Sequence, residues 1–252
     1  MSKYNETEYD LFSRLFILDE FSEKKLDILS KQNISIVGVG GIGCPLSQYL
    51  ISSGIKNLLL VDGDTVEKSN LNRQILFNND DINKKKVEVA KEKLSKINPS
   101  SKINIFNKNI DSKNIDVLSN SKIIVDATDD WKTSKLLNEF CVKNSINFIF
   151  SSVVKHDLQI ILFDNTQRKK HLCLNCIFPN KEYANLPRCE TVGISGISAG
   201  LAGLISAQKI LNFSLNLRNE TNLLTIFDGK QLDVDNIVVN SKHDCYLKSI
   251  QS

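Results

Sequence analysis

The chain of 252 residues lacks the marks of a membrane or secreted protein. No run of 18 purely apolar residues occurs, so no segment reads as a membrane-spanning helix. The N-terminus, MSKYNETEYD, is polar and acidic and does not read as a signal peptide. Excess charge is missing too: a formal net charge of +3 is too small to argue for nucleic acid or a membrane as partner. Internal repeats and low-complexity stretches are absent. Six cysteines without a secretory signal point to a reducing cytoplasm, and so to metal or catalytic roles rather than disulfides. What remains is an ordinary globular composition, 41% hydrophobic and 24% charged, long enough for one large α/β domain.

That domain is organised around Ile34 to Arg73. A short apolar run, Ile34, Ile36 and Val37, reads as a buried parallel strand. It leads into Gly38-Val39-Gly40-Gly41-Ile42-Gly43, a Gly-x-Gly-x-x-Gly with an extra glycine at Gly41. Pro45 suits the first turn of a helix, Leu46, Tyr49 and Leu50 recur at helical spacing, and Gly54 is placed to end it. Leu58 to Val61 forms the second strand, ending at Asp62. Glycines without Cβ let a backbone approach phosphate oxygens, while a helix N-terminus directs free N–H groups at their charge. An acidic residue at the tip of the second strand accepts hydrogen bonds from ribose hydroxyls.

The residues after Asp62 separate the nucleotides. Asp64, Asn70, Arg73 and Gln74 lie in DGDTVEKSNLNRQ, and Lys86 follows. A dinucleotide's pyrophosphate needs no such cluster, whereas a nucleoside triphosphate needs cations around its β- and γ-phosphates. GVGGIGCPLSQYL, VDGDTVEKSNLNRQ and KKKVEVAKEKLSKINP resemble the ThiF/MoeB/HesA family, bacterial relatives of ubiquitin-activating enzymes, and the resemblance covers nearly the whole chain. It implies a Rossmann-like, doubly wound α/β fold, with a mainly parallel sheet, helices on both faces and a C-terminal antiparallel extension. It also implies an adenylyltransferase that uses ATP and Mg²⁺ on the Gly-Gly C-terminus of a small ubiquitin-like sulfur carrier. A cysteine desulfurase or sulfurtransferase is a further partner, and a cytoplasmic homodimer the expected form.

The remaining candidates follow the chain. Residues 6 to 30 read as two short helices, and the resemblance makes Arg14 a phosphate contact reaching the partner subunit's site. Asn83 to Ile97 reads as a helix whose Lys86 matches the family's phosphate-binding lysine. Lys102 to Phe106, Ile123 to Val125, Phe148 to Phe150 and Leu158 to Phe163 read as strands, and in SSVVKHDLQ between the last two His156 reads as a surface or loop histidine. The segment Asp126-Ala127-Thr128-Asp129-Asp130 should face the nucleotide from the end of its strand. The family pattern D-x-T-D-N makes Asp129 the Mg²⁺-associated carboxylate. Asp130 stands where the family has Asn and is placed to cap the following helix.

Cys173-Leu174-Asn175-Cys176 is a knuckle from which two thiolates reach one metal, and a redox role is disfavoured because the pair does not open a helix after a strand. The family adds a second C-x-x-C near the C-terminus. Here Cys245 matches it, Lys248 stands at the fourth position, and His243 or His171 is the substitute ligand for structural Zn²⁺. Cys189, in a polar loop, aligns with a cysteine that some family members use covalently, while other members do not need it. Cys44 and Cys141 read as small core residues. Ile194 to Asn212 reads as an apolar, glycine-rich buried helix suited to a dimer interface, followed by a hairpin around Asp228-Gly229 on which a partner protein could lie. The divisions are 1–32 for the N-terminal helices, 33–165 for the nucleotide core, 166–193 for the knuckle and crossover loop, and 194–252 for the last helix, hairpin and tail. Two alternatives stay open. One is adenylation of a peptide C-terminus in natural-product biosynthesis, against which only 33 residues precede the first strand. The other is an NAD-binding Rossmann oxidoreductase, which leaves Asn70, Arg73 and Lys86 unexplained.

Overall fold

The computed structural model describes residues 6–166, 172–179 and 193–240. The candidates His171, Cys189, His243 and Cys245 lie outside these residues. Five short apolar segments form the sheet's first half: β1 (Asn33–Val37), β2 (Asn57–Val61), β3 (Lys102–Phe106), β4 (Ile123–Asp126) and β5 (Asn147–Val154). They lie in the order β3-β2-β1-β4-β5 and all pair in parallel. Their unbroken apolar character follows from burial on both faces: every residue of β4 is buried. Three antiparallel strands extend the sheet: β6 (Asp157–Phe163), β7 (Leu223–Asp228) and β8 (Asp233–Val238). The expected fold, antiparallel extension included, is the observed one.

Two apolar layers sandwich the sheet. On one face pack α3 (Gly43–Ser52), α4 (Lys86–Ile97) and α7 (Gly196–Leu215), through residues such as Leu50, Leu94 and Ile210. On the other pack α5 (Trp131–Asn144) and the single turn α6 (Leu174–Ile177), through Leu137 and Leu174. At the N-terminus α1 (Glu6–Phe12) and α2 (Glu23–Ser30) form a small satellite in which Phe12 meets Leu26. No helix among the described residues is long and apolar enough to cross a membrane.

Two local expectations are corrected. The fifth strand, expected over Phe148 to Phe150, continues to Val154 and turns through Lys155 and His156 into β6, with Val153 pairing Leu158. The helix expected from Asn83 begins at Lys86, because Asn83 has a left-handed φ of 67° and Lys85 is extended. The glycine-rich helix is buried along much of its length, and a Cβ on Gly203 would lie 2.5 Å from Ile42 O. Cys173 is the N-cap of the single turn α6, which does not directly follow a strand.

Candidate nucleotide-binding site

In this strand order the chain reverses direction between β1 and β4, which opens a crevice at their carboxyl ends. Gly38, with φ of 95°, crosses that crevice: a Cβ there would meet Ala127 O at 2.6 Å. One on Gly43 would meet Gly38 O at 2.0 Å. The protein's own packing therefore requires both glycines. Gly40 is different, since among the described residues nothing lies nearer its Cβ position than Gln74 Nε2 at 3.8 Å. Room is left above the loop where phosphate oxygens would approach, at the N-terminus of α3.

A chain of hydrogen bonds ties the charged residues to this loop. Asp62, 8% exposed, accepts from Val39 N at 2.7 Å with Oδ2 and from Asp64 N at 2.8 Å with Oδ1. It therefore clasps the glycine loop to the acidic turn, in addition to any ribose contact. Lys86 Nζ donates to Asp64 Oδ2 at 2.9 Å. An antiparallel bridge from Thr65 to Lys85, with Lys86 N donating to Asp64 O at 3.1 Å, fixes the start of α4 beside that turn. This is why Lys86, among the six lysines of its segment, is buried.

Arg73 lies across the loop's other side, its Cγ 3.5 Å from the Cβ position of Gly41. One guanidinium nitrogen donates to Ser69 O at 2.9 Å and Asn72 Oδ1 at 3.1 Å, which leaves its other N–H groups unpaired among the described residues. Gln74 is buried with its Nε2 beside Gly40, and its Oε1 has no partner among the described residues. Asn70 Oδ1 instead accepts from Glu67 N at 3.2 Å, so this residue shapes the turn that presents Arg73.

The three carboxylates after β4 are sorted by their bonds. Asp126 is fully buried and accepts from Thr128 N at 3.0 Å and Thr128 Oγ1 at 2.7 Å. Burial pushes its carboxyl up from 3.8 to about 6, against the hydrogen bonds from Thr128. Asp130 caps α5 as expected, accepting from Thr133 N at 3.0 Å and Thr133 Oγ1 at 2.8 Å. Asp129 is exposed and accepts nothing among the described residues. A free, hard oxygen donor at a nucleotide crevice fits Mg²⁺.

The cysteines divide in the same way. Burial pushes the Cys44 thiol up to about 12 and that of Cys141 well above the usual range, as suits inert core residues. Cys173 Sγ and Cys176 Sγ lie 3.8 Å apart. Two thiolates at about 2.3 Å from a tetrahedral Zn²⁺ are separated by about 3.8 Å, so the pair fits one edge of such a site. The described residues contain no group of three or more potential metal ligands; the other expected ligands fall outside them.

Arg14 is not brought to this crevice within one chain. It is exposed beside Phe12, which packs near Gly54 at the far end of α3, about 15 Å of helix from the glycine loop. Sequence reasoning missed the lid that α7 provides. A Cβ on Gly196 would lie 2.6 Å from Asn72 O, and Ala199 Cβ is 3.0 Å from the Cβ position of Gly41. The glycines of GISGISAGLAG were the signal, read as general helix packing rather than as closure over Arg73.

Fold and crevice together define a Rossmann-type nucleotide-binding protein, with two cations held at its glycine loop. More narrowly, the chain belongs to the ThiF family, whose pattern matches residues 12–247. It is 30% identical over 242 residues to the SAMP-activating enzyme E1 of Haloferax volcanii, covering 95% of this chain and 88% of that protein. It is 26% identical to the sulfur carrier protein ThiS adenylyltransferase of Escherichia coli, covering 96% and 95%. Among solved structures it resembles E. coli MccB with SeMet MccA at a TM-score of 0.83 and 21% identity, over 98% of this chain and 76% of that one, a likeness of fold.

Proposed function

We propose that this protein is an ATP-dependent adenylyltransferase that activates the C-terminal glycine carboxylate of a small ubiquitin-like sulfur carrier. The carrying observation is that Arg73 and a buried Lys86 flank one glycine loop with room above Gly40. Relatives named as carrier adenylyltransferases and as an E1 support the substrate class. The carboxylate oxygen attacks the α-phosphorus, the bond to the bridging oxygen of pyrophosphate breaks, and acyl-adenylate and pyrophosphate result. Arg73 and Lys86 stabilise the charge that grows on the phosphate oxygens, and the loop amides position them. Asp62, Asp64 and Gln74 line the nucleotide. Mg²⁺ held by Asp129 would supply further charge neutralisation.

Zn²⁺ held by Cys173, Cys176, Cys245 and His243 would tie the crossover segment to the C-terminal tail. Arg14 completes the phosphate site only from a second copy, which makes the active form a homodimer. Residues 33–165 form the nucleotide core, with the N-terminal helices in 1–32, the knuckle and crossover loop in 166–193, and the last helix, hairpin and tail in 194–252. Cys189 supplies a covalent acyl acceptor if the carrier passes through a thioester, and a cysteine desulfurase or sulfurtransferase would then deliver sulfur in the cytoplasm. Mass spectrometry of each small Gly-Gly-ending protein after incubation with enzyme, ATP and Mg²⁺ tests the reading. One carrier gains a single adenylate; a gain on a peptide C-terminus alone would replace the carrier by a peptide substrate.

A further inference from the structure

The helix that begins beside Asp129 is held along one side by the Cys173–Cys176 knuckle. Trp131, Asn138 and Val142 follow one another at steps of seven and four residues, so they lie on one face of α5. Each meets the knuckle segment. Leu174 N donates to Asn138 Oδ1 at 2.9 Å, and both residues are buried. Val142 packs with Cys173 and Cys176. Phe178, whose N–H closes the turn on Leu174 O at 2.9 Å, meets the Trp131 ring edge to face, with centroids 5.6 Å apart and planes at 89°.

Trp131 carries that support to the edge of the nucleotide crevice. Its ring also meets Phe150 at 6.0 Å and 82°, and Phe150 meets Phe178 at 6.0 Å, so the three rings close a triangle. Phe150 is the residue of β5 opposite Asp126, the last residue of β4. Ala127 to Asp130 are all that separate Asp126 from Trp131. This short span is pinned at its start by the bonds from Thr128 to Asp126. It is pinned at its end by the Asp130 cap and by the aromatic triangle. Asp129 lies between the two pins.

We infer that Trp131 is a positioning residue for Asp129, and that through its ring the Cys173–Cys176 knuckle and the Mg²⁺·ATP site stabilise one another. The inference rests on the reading of Asp129 as the Mg²⁺ carboxylate and adds what aims it. A carboxylate on a backbone that is already fixed loses less freedom when the cation arrives. Linkage makes the effect mutual. If a closed knuckle tightens Mg²⁺·ATP, bound Mg²⁺·ATP favours the closed knuckle by the same factor.

The experiment is calorimetric titration of ATP, with and without Mg²⁺, on wild type, Trp131→Ala, Trp131→Phe and Phe178→Ala. Carrier is absent throughout, so the result does not depend on which substrate is adenylated. In wild type Mg²⁺ tightens ATP binding. Trp131→Ala and Phe178→Ala each cut that gain about fivefold or more, while ATP affinity without Mg²⁺ stays within about twofold of wild type. Trp131→Phe keeps a ring against Phe150 and Phe178 and restores most of the gain. A wild-type gain in both alanine variants would overturn the link. Equal losses of affinity with and without Mg²⁺ would also contradict it, as a general loosening of the fold. No gain in wild type would instead sink the Asp129 assignment, and the link with it. A second test needs no variant to fold. Iodoacetamide labelling of Cys176 in the wild-type protein, mapped by mass spectrometry, slows about fivefold in Mg²⁺·ATP relative to ATP alone. An unchanged labelling rate would overturn the link.

Discussion

Lys86 Nζ lies 2.9 Å from Asp64 Oδ2, and the pair is unequally placed, the lysine side chain 8% exposed and the aspartate 61%. The ammonium is fixed while its carboxylate is free to turn into water, so an arriving triphosphate displaces Asp64 rather than Lys86. Lys86→Met is expected to lower kcat/KM for ATP by about 10²–10³-fold, the scale of losing one preorganised charge-stabilising donor. Asp64→Asn should cost less than about tenfold. Steady-state exchange kinetics check both, and equal losses would contradict this asymmetry.

The clasp formed by Asp62 makes a prediction about stability. Asp62→Ala strands the Val39 and Asp64 amides and should destabilise the fold by about 2–4 kcal/mol, from one or two unsatisfied donors. Asp62→Asn, which keeps one acceptor oxygen, should lose less. Urea denaturation midpoints read the difference.

The glycines separate structure from binding. Gly43→Ala forces a Cβ to 2.0 Å from a backbone carbonyl and should unfold or strongly destabilise the protein. Gly40→Ala has room and should leave the melting temperature within a few degrees while ATP affinity falls at least about tenfold. A melting curve and an ATP titration on each variant suffice.

Asp126 predicts a pH dependence. Its carboxyl stands higher in the folded state, at about 6, than at its ordinary value of 3.8, so its contribution is fully present below 3.8 and is lost as pH rises through 6. Asp126→Asn should therefore match wild type near pH 4 and exceed it above pH 7, by up to about 3 kcal/mol for a shift of roughly two units. Urea unfolding at pH 4.5, 6 and 8 tests the trend, and a constant difference would contradict it.

What the sequence made legible was local. The glycine loop, Asp62 at its strand tip and the cap by Asp130 each depend on neighbours within one strand-turn-helix unit, whereas Lys86 is singled out by the family resemblance and not by spacing. The extension of β5 was hidden because its turn is Lys155-His156, without the glycine or asparagine that usually announces a two-residue hairpin. The clasp of Val39 by Asp62, the contact of Gly196 with Asn72 and the bridge of Ile194 to Lys155 join residues 23 to well over 100 positions apart, and no periodicity encodes them. The sorting of Asp126, Asp129 and Asp130 by bonding became visible only from Thr128 and Thr133.

The most direct measurement is Mg²⁺-dependent ATP–pyrophosphate exchange, with each small Gly-Gly-ending carrier in turn and with the Asp129→Ala variant. Exchange that one carrier switches on, and that Asp129→Ala reduces at least about 100-fold, is the predicted result. ATP binding without exchange in the presence of any carrier would contradict it.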